Sequence, residues 1–105
     1  MKKTMFRQGD VLITSVKRVN GLSEVARESG RIVLAHGEAT GHAHAIASMD
    51  AMLLMDEKML NRYLDVKAMV VLDHEEHTRL ELPRGFYEVK RQREYRPEGL
   101  RQVAD

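Results

Sequence analysis

"DAMLLMDEKMLNRYLDV", residues 50–66, decides the fold. Its Ala, Met, Leu, Glu and Lys favour a helix by propensity. Its pattern says otherwise. MLLM (52–55) and RYLDV (62–66) are short apolar runs, and the polar DEK (56–58) between them fits a hairpin turn. A helix over 49–60 and a strand–turn–strand are both open on this segment alone. Its neighbours tip the reading toward two strands, because strand-like runs flank it on both sides.

Upstream, Gly9-Asp10 marks a turn before VLITSV (11–16), a short β-branched run that reads as a strand. Asn20-Gly21 signals another turn. SEVARES (23–29) suits one or two helical turns, with Ser23 as N-cap and Gly30 as stop. RIVLAH (31–36) and HAHAIASM (42–49) form a hairpin around the glycine-bounded loop GEATG (37–41). That pairing sets His36 roughly opposite His42.

Downstream, AMVVLDHEEH (68–77) is a strand through Leu72, with Val70, Leu72 and His74 on one face. LELPRGFYEVKRQREY (80–95) gives a strand, a Pro-x-Gly turn and a long alternating strand. Tyr87, Val89, Arg91, Arg93 and Tyr95 share one face of it, and Pro97-Glu98-Gly99 ends it. Six to eight short strands at regular spacing predict an all-β protein over residues 1–105. The expected form is a small antiparallel barrel or sandwich, with room for one short helix at 23–29.

Composition narrows the function. The chain has 105 residues, 31% of them charged, yet a net charge of only +1. No global field attracts nucleic acid or membrane. The absence of cysteine excludes disulfides, thiolate catalysis and cysteine-based zinc sites. No apolar run approaches membrane-spanning length, and MKKTMFRQGD has no apolar stretch after its lysines. The expected location is the cytoplasm. With two Phe, three Tyr and no Trp, the seven Met are expected to fill gaps in the core.

All five histidines fall into two groups: His36, His42 and His44, then His74 and His77. On a strand, residues i and i+2 project to the same side, so His42-Ala43-His44 presents two imidazoles together. His74-Glu75-Glu76-His77 needs a bend or a helical turn to do the same. Neutral imidazole is a ligand for zinc, nickel and iron, and carboxylate adds affinity for manganese. The candidate ligands for a divalent ion (Zn, Ni, Fe or Mn) are therefore His42, His44, His74 and His77. Glu75 is the candidate general base on bound water, with Glu76 as its neighbour. Metal-dependent hydrolysis of a small molecule is the reaction this set suggests. Paired histidines acting as acid and base without metal are a third, weaker option.

HEEH lacks the three intervening residues of the zinc-protease helix, and HAHAI has Ile46 where a histidine-triad hydrolase needs histidine. The alternative class is a binding or assembly module. From Arg84 onward the chain has six basic and four acidic residues. Arg91, Arg93 and Tyr95 are its candidate nucleic-acid contacts, since arginine interleaved with aromatics can hold phosphates and stack on bases. Self-association is compatible with either reading.

GHAHA and LPRGFYE resemble the His-x-His strand and Pro-x-Gly turn of cupins. However, no glutamate follows His44 at cupin spacing, and Glu88, not histidine, follows the Pro-x-Gly. The cupin likeness is architectural only. Most of the chain resembles a family of small, largely uncharacterised bacterial and phage-associated proteins. The resemblance rests on RQGDVLI, GEATGHAHAI, HEEH and LPRGFYEVKRQREYRPEGLRQVAD. It implies strand–turn–strand for 51–66 and names no activity.

Overall fold

Residues 50–66 form a hairpin, and the protein is all-β. The computed structural model describes residues 4–37 and 42–92. Among them are ten strands and no helix. In chain order they are β1 (Met5–Gln8), β2 (Val11–Ser15), β3 (Ser23–Glu24), β4 (Ile32–His36), β5 (Ala43–Ile46), β6 (Ala51–Met55), β7 (Arg62–Val66), β8 (Val70–Leu72), β9 (Leu80–Leu82) and β10 (Gly85–Arg91).

Strands β6 and β7 pair antiparallel from Ala51↔Val66 to Met55↔Arg62. The turn between them is longer than DEK. Asp56 organises it: its carboxylate accepts the amides of Lys58 and Met59, and its backbone pairs with Asn61 and Leu60. Met59 and Leu60 are exposed in this turn, and Leu60 takes a left-handed φ of 62°. Local hydrogen bonding by an aspartate thus overrides the helix propensity of the segment.

The main sheet has the order β1-β2-β10-β7-β6-β3. Against it lie the pairs β4-β5 and β8-β9, joined by the bridge Ala45↔Asp73. The arrangement is sandwich-like, not a closed barrel, and β1 and β3 remain as edges of the main sheet. Both edges are short, at four and two residues, which limits what another chain could pair with.

Period-two alternation fills the core from both layers. Val11, Ile13, Leu53, Leu64, Val66, Tyr87 and Val89 come from the main sheet. Ile32, Leu34, Ile46, Val70, Leu72 and Leu82 come from the other layer. A fully buried aliphatic side chain of this kind contributes about 1.5–3 kcal/mol. The methionines do not fill this core. Met5, Met49, Met59 and Met69 are exposed, and Met52 and Met55 are half-buried. Among the described residues the core between the layers is built chiefly from branched aliphatics.

The helix expected at 23–29 is absent. Ser23 and Glu24 pair with Met55 and Leu54 at the sheet edge, and the Val25 amide continues the ladder to Leu53. Glu28 and Arg31 then close a tight turn whose central residues, Ser29 and Gly30, have φ of 53° and 79°. Two positive φ values suit the right-handed twist of the flanking chain. The Arg27 guanidinium binds the carbonyls of Gly30, Ser48 and Ala51. Pairing to a distant strand supplies backbone bonds that one or two isolated helical turns could not match.

Candidate metal centre

His44 projects from β5 at the position where that strand meets the end of β8. The Ala45–Asp73 bridge, with amide-to-carbonyl distances of 2.9 and 3.0 Å, sets the two side by side. His74 follows directly, and the chain bends through 75–77, which returns His77 toward the same point. Ring centroids are 4.3 Å apart for His44–His74, 4.6 Å for His74–His77 and 5.6 Å for His44–His77. One nitrogen from each ring lies within 4.8 Å of the others. Metal–nitrogen bonds of about 2.0–2.1 Å place two ligand nitrogens about 3.3 Å apart on a tetrahedral ion. Small side-chain rotations close the difference.

His42 lines the same cleft, 5.9 Å from His74 ring to ring, but it does not join the group of three whose ligand atoms lie within 4.8 Å. Its Nδ1 lies 3.1 Å from a Glu76 carboxylate oxygen. The other lining residues are Gly9, Asp10, Gly37 and Arg91, around a cleft of about 420 Å³. Gly9 belongs there for steric reasons. Its φ is +58°, and a Cβ would stand 2.7 Å from His77 Nε2 and 3.2 Å from His44 Cε1.

The His44 ring is wired from beneath by Gln8. The Gln8 amide nitrogen donates to the Leu72 and Thr78 carbonyls, each at 2.9 Å. Its oxygen is therefore an acceptor, and it meets His44 Nδ1 at 2.8 Å. Nδ1 must carry the proton, which leaves the Nε2 lone pair bare and ready to ligate. Burial holds the ring neutral, with His74 and His77 reinforcing the effect and Asp10 opposing it. The His44 pKa falls to about 4.

His74 is wired differently. Its Nδ1 accepts the Glu76 amide at 3.0 Å, so a neutral ring carries its proton on Nε2. Ligation by His74 requires that this bond to the turn be exchanged for the ion.

Glu75 does not line the cleft. Its carboxylate accepts the Ala43 amide at 3.1 Å, and its pKa is lowered first by its own amide and then by that of Ala43. The cleft carboxylates are Asp10 and Glu76. Burial pushes the Asp10 carboxyl up, but the Arg91 guanidinium at 2.8 Å and the Asp10 amide outweigh it, so the net shift is downward. His36 is turned away. It pairs with Ala43 across the hairpin, not with His42, and its exposed ring meets Glu28 at 2.9 Å. A bulge at Leu34 between Val33 and Ala35 shifts the register. The GEATG residues 38–41 lie outside the described residues.

On β10 the face expected to bind nucleic acid is the inner one. Tyr87 is buried and its hydroxyl donates to the Pro83 carbonyl at 2.6 Å. Arg91 is held by Asp10 and by the His36 carbonyl at 3.0 Å. Arg93, Tyr95 and the Pro97–Gly99 turn lie outside the described residues.

Among the described residues no helix is long and apolar enough to cross a membrane. No curated protein and no solved structure matches the chain. A family model does match over residues 7–92, from the strand that carries Gln8 to just beyond Arg91. It takes in all the residues of the cleft, and by it the chain belongs to the family described as a domain of unknown function (DUF8820).

Proposed function

We propose that the protein binds one divalent transition-metal ion at His44, His74 and His77, in a cleft that leaves room for water or a small ligand. The observation that carries this reading is the convergence of three imidazoles from two chain segments about 30 residues apart, with ligand atoms no more than 4.8 Å from one another. Three protein ligands and an open position suit catalysis, where four closed ligands suit structure. Zinc, nickel, iron and manganese are the candidate ions.

Metal-dependent hydrolysis is the reaction class that follows. A bound ion acidifies water in its open position. Our candidate for the proton acceptor is Glu76, which lines the cleft 3.1 Å from His42, because Glu75 lies outside the cleft and accepts the Ala43 amide.

The test is metal analysis of protein purified without a histidine tag and dialysed after incubation with each ion. The expected content is about one ion per chain, since a site built on folding binds with a defined stoichiometry. His77→Ala should reduce it sharply, and because His77 is exposed the variant should keep the fold. Content far below one with every ion, in the unaltered protein, would end the proposal.

A further inference from the structure

The His44 Nε2 lone pair faces an acceptor. Gln8 fixes the ring proton on Nδ1, so Nε2 has no hydrogen to offer. Yet Asp10 Oδ1 lies 3.6 Å from it. Two electron-rich atoms at that separation repel unless a proton or a cation lies between them, and Gln8 keeps the proton on Nδ1. The gap has a suitable length. An ion with bonds of about 2.0–2.2 Å to nitrogen and oxygen holds the two about 3.0–3.6 Å apart, for angles from octahedral to trigonal.

The rest of Asp10 is arranged for this. Its other oxygen, Oδ2, is held by Arg91 Nε at 2.8 Å, and Arg91 is itself anchored on the His36 carbonyl at 3.0 Å. The Asp10 carbonyl accepts the Gln92 amide at 2.7 Å, which pins the residue to the end of β10. One carboxylate oxygen is thus committed to Arg91 and the other lies beside His44.

We propose that Asp10 is a ligand to the metal, binding through Oδ1 at a position adjacent to His44 Nε2, with Arg91 as the positioning residue that keeps its binding monodentate. This inference rests on the metal reading above and extends it. It makes the site a mixed nitrogen–oxygen set with a hard anionic donor, which favours Mn(II), Fe(II) and Zn(II) over the soft Cu(I). Ions that take five or six ligands keep positions open toward the cleft.

The experiment compares metal affinity in the unaltered protein, Asp10→Asn and Asp10→Glu by competition against a chromophoric chelator. Co(II) absorption reports the ligand set. Asp10→Asn keeps the size and the hydrogen-bonding shape but removes the anionic donor. It should weaken Mn(II) and Zn(II) by about 10–100-fold, the scale on which metal sites respond to loss of supporting groups, or by more. The Co(II) bands should shift. Asp10→Glu moves the carboxylate by one methylene while keeping its charge, so it should fold even if Asp10→Asn does not, and bind more weakly with a shifted spectrum. Equal affinity and an unchanged Co(II) spectrum in a folded variant overturn the assignment of Asp10 and leave the histidine site standing. No metal bound by the unaltered protein overturns both.

Discussion

Gln8→Ala probes the wiring under the metal centre. Gln8 is only 3% exposed and makes three side-chain hydrogen bonds, to Leu72, Thr78 and His44. It ties β1, on the main sheet, to both sides of the turn that joins β8 to β9 in the other layer. Truncation deletes all three bonds and orphans a buried imidazole N–H and the Leu72 carbonyl. Taking about 1 kcal/mol for the bond to Thr78 and about 1 kcal/mol, the low end of the usual range, for each of the two groups left unpaired, the loss is at least about 3 kcal/mol. That is a large share of the ~5–15 kcal/mol that holds a domain folded. Urea unfolding of the metal-free protein at pH 7 measures it. With a slope of ~2 kcal/mol per M, the midpoint should fall by about 1.5 M. Metal affinity should fall about 10–100-fold as well, because the ring is no longer held with Nε2 free. Gln8→Glu separates the two effects. It keeps an acceptor for His44 Nδ1 but loses both donors to the carbonyls, so it should lose stability like Gln8→Ala and retain more affinity. A Gln8→Ala midpoint within about 0.2 M of the unaltered protein at that slope, with unchanged affinity, would refute the wiring.

Three further outcomes are expected. Gly9→Ala should cost about 1–2 kcal/mol for a left-handed alanine and also cut metal uptake, since its Cβ would displace His77; unchanged uptake would dismiss the close approach as unimportant. Metal loading should shift the Glu76 amide resonance and speed its exchange, because His74 Nδ1 must release that amide to ligate; an unperturbed Glu76 amide in the loaded protein would remove His74 from the ligand set. The Asp65 carboxyl, held below its ordinary value chiefly by the bidentate bond to Arg18, stabilises the fold above pH ~4 and loses that contribution as pH falls through its folded pKa. Arg18→Ala should therefore destabilise the fold at pH 7, and the part of that cost due to Asp65 should fade as pH drops through the folded Asp65 pKa, leaving the loss of the Arg18 contact with the Phe86 ring; urea unfolding across the acid range measures it, and a cost that does not change with pH would contradict the assignment.

The fold was legible wherever burial alternates along the chain. Val11/Ile13, Leu64/Val66, Val70/Leu72 and Tyr87/Val89 each put two apolar side chains on one face, and each lies in a strand facing the core. The segment 23–29 misled because its apolar content is small and its partner is distant. Ser23 and Glu24 gain their structure from Leu54 and Met55, a pairing that no local pattern encodes. A better local cue was present in Glu28-Ser29-Gly30-Arg31, where a small residue and a glycine occupy the two positive-φ positions of a tight turn.

The candidate site divides along the same line. His42 and His44 could be paired from spacing alone, because a strand repeats every two residues. His74 and His77 needed a bend, and bringing His44 beside them needed the Ala45–Asp73 bridge; His42 lines the cleft without joining that trio. Gln8 and Asp10 carry no such mark. They are ordinary polar residues flanking a glycine, and they reach the histidines only because the β1–β2 turn lies under the 74–77 bend, some 65 residues on. The chemistry that decides the centre sits on this turn. Gln8 chooses which nitrogen of His44 is free, and Asp10 stands where that nitrogen points. A histidine count points to a candidate site, but the atoms that would select an ion and orient its ligands are set by tertiary contacts. For this chain the residues to alter first are Gln8 and Asp10, because their effects on stability, affinity and ligand-field spectrum differ in ways that a merely polar cleft could not reproduce.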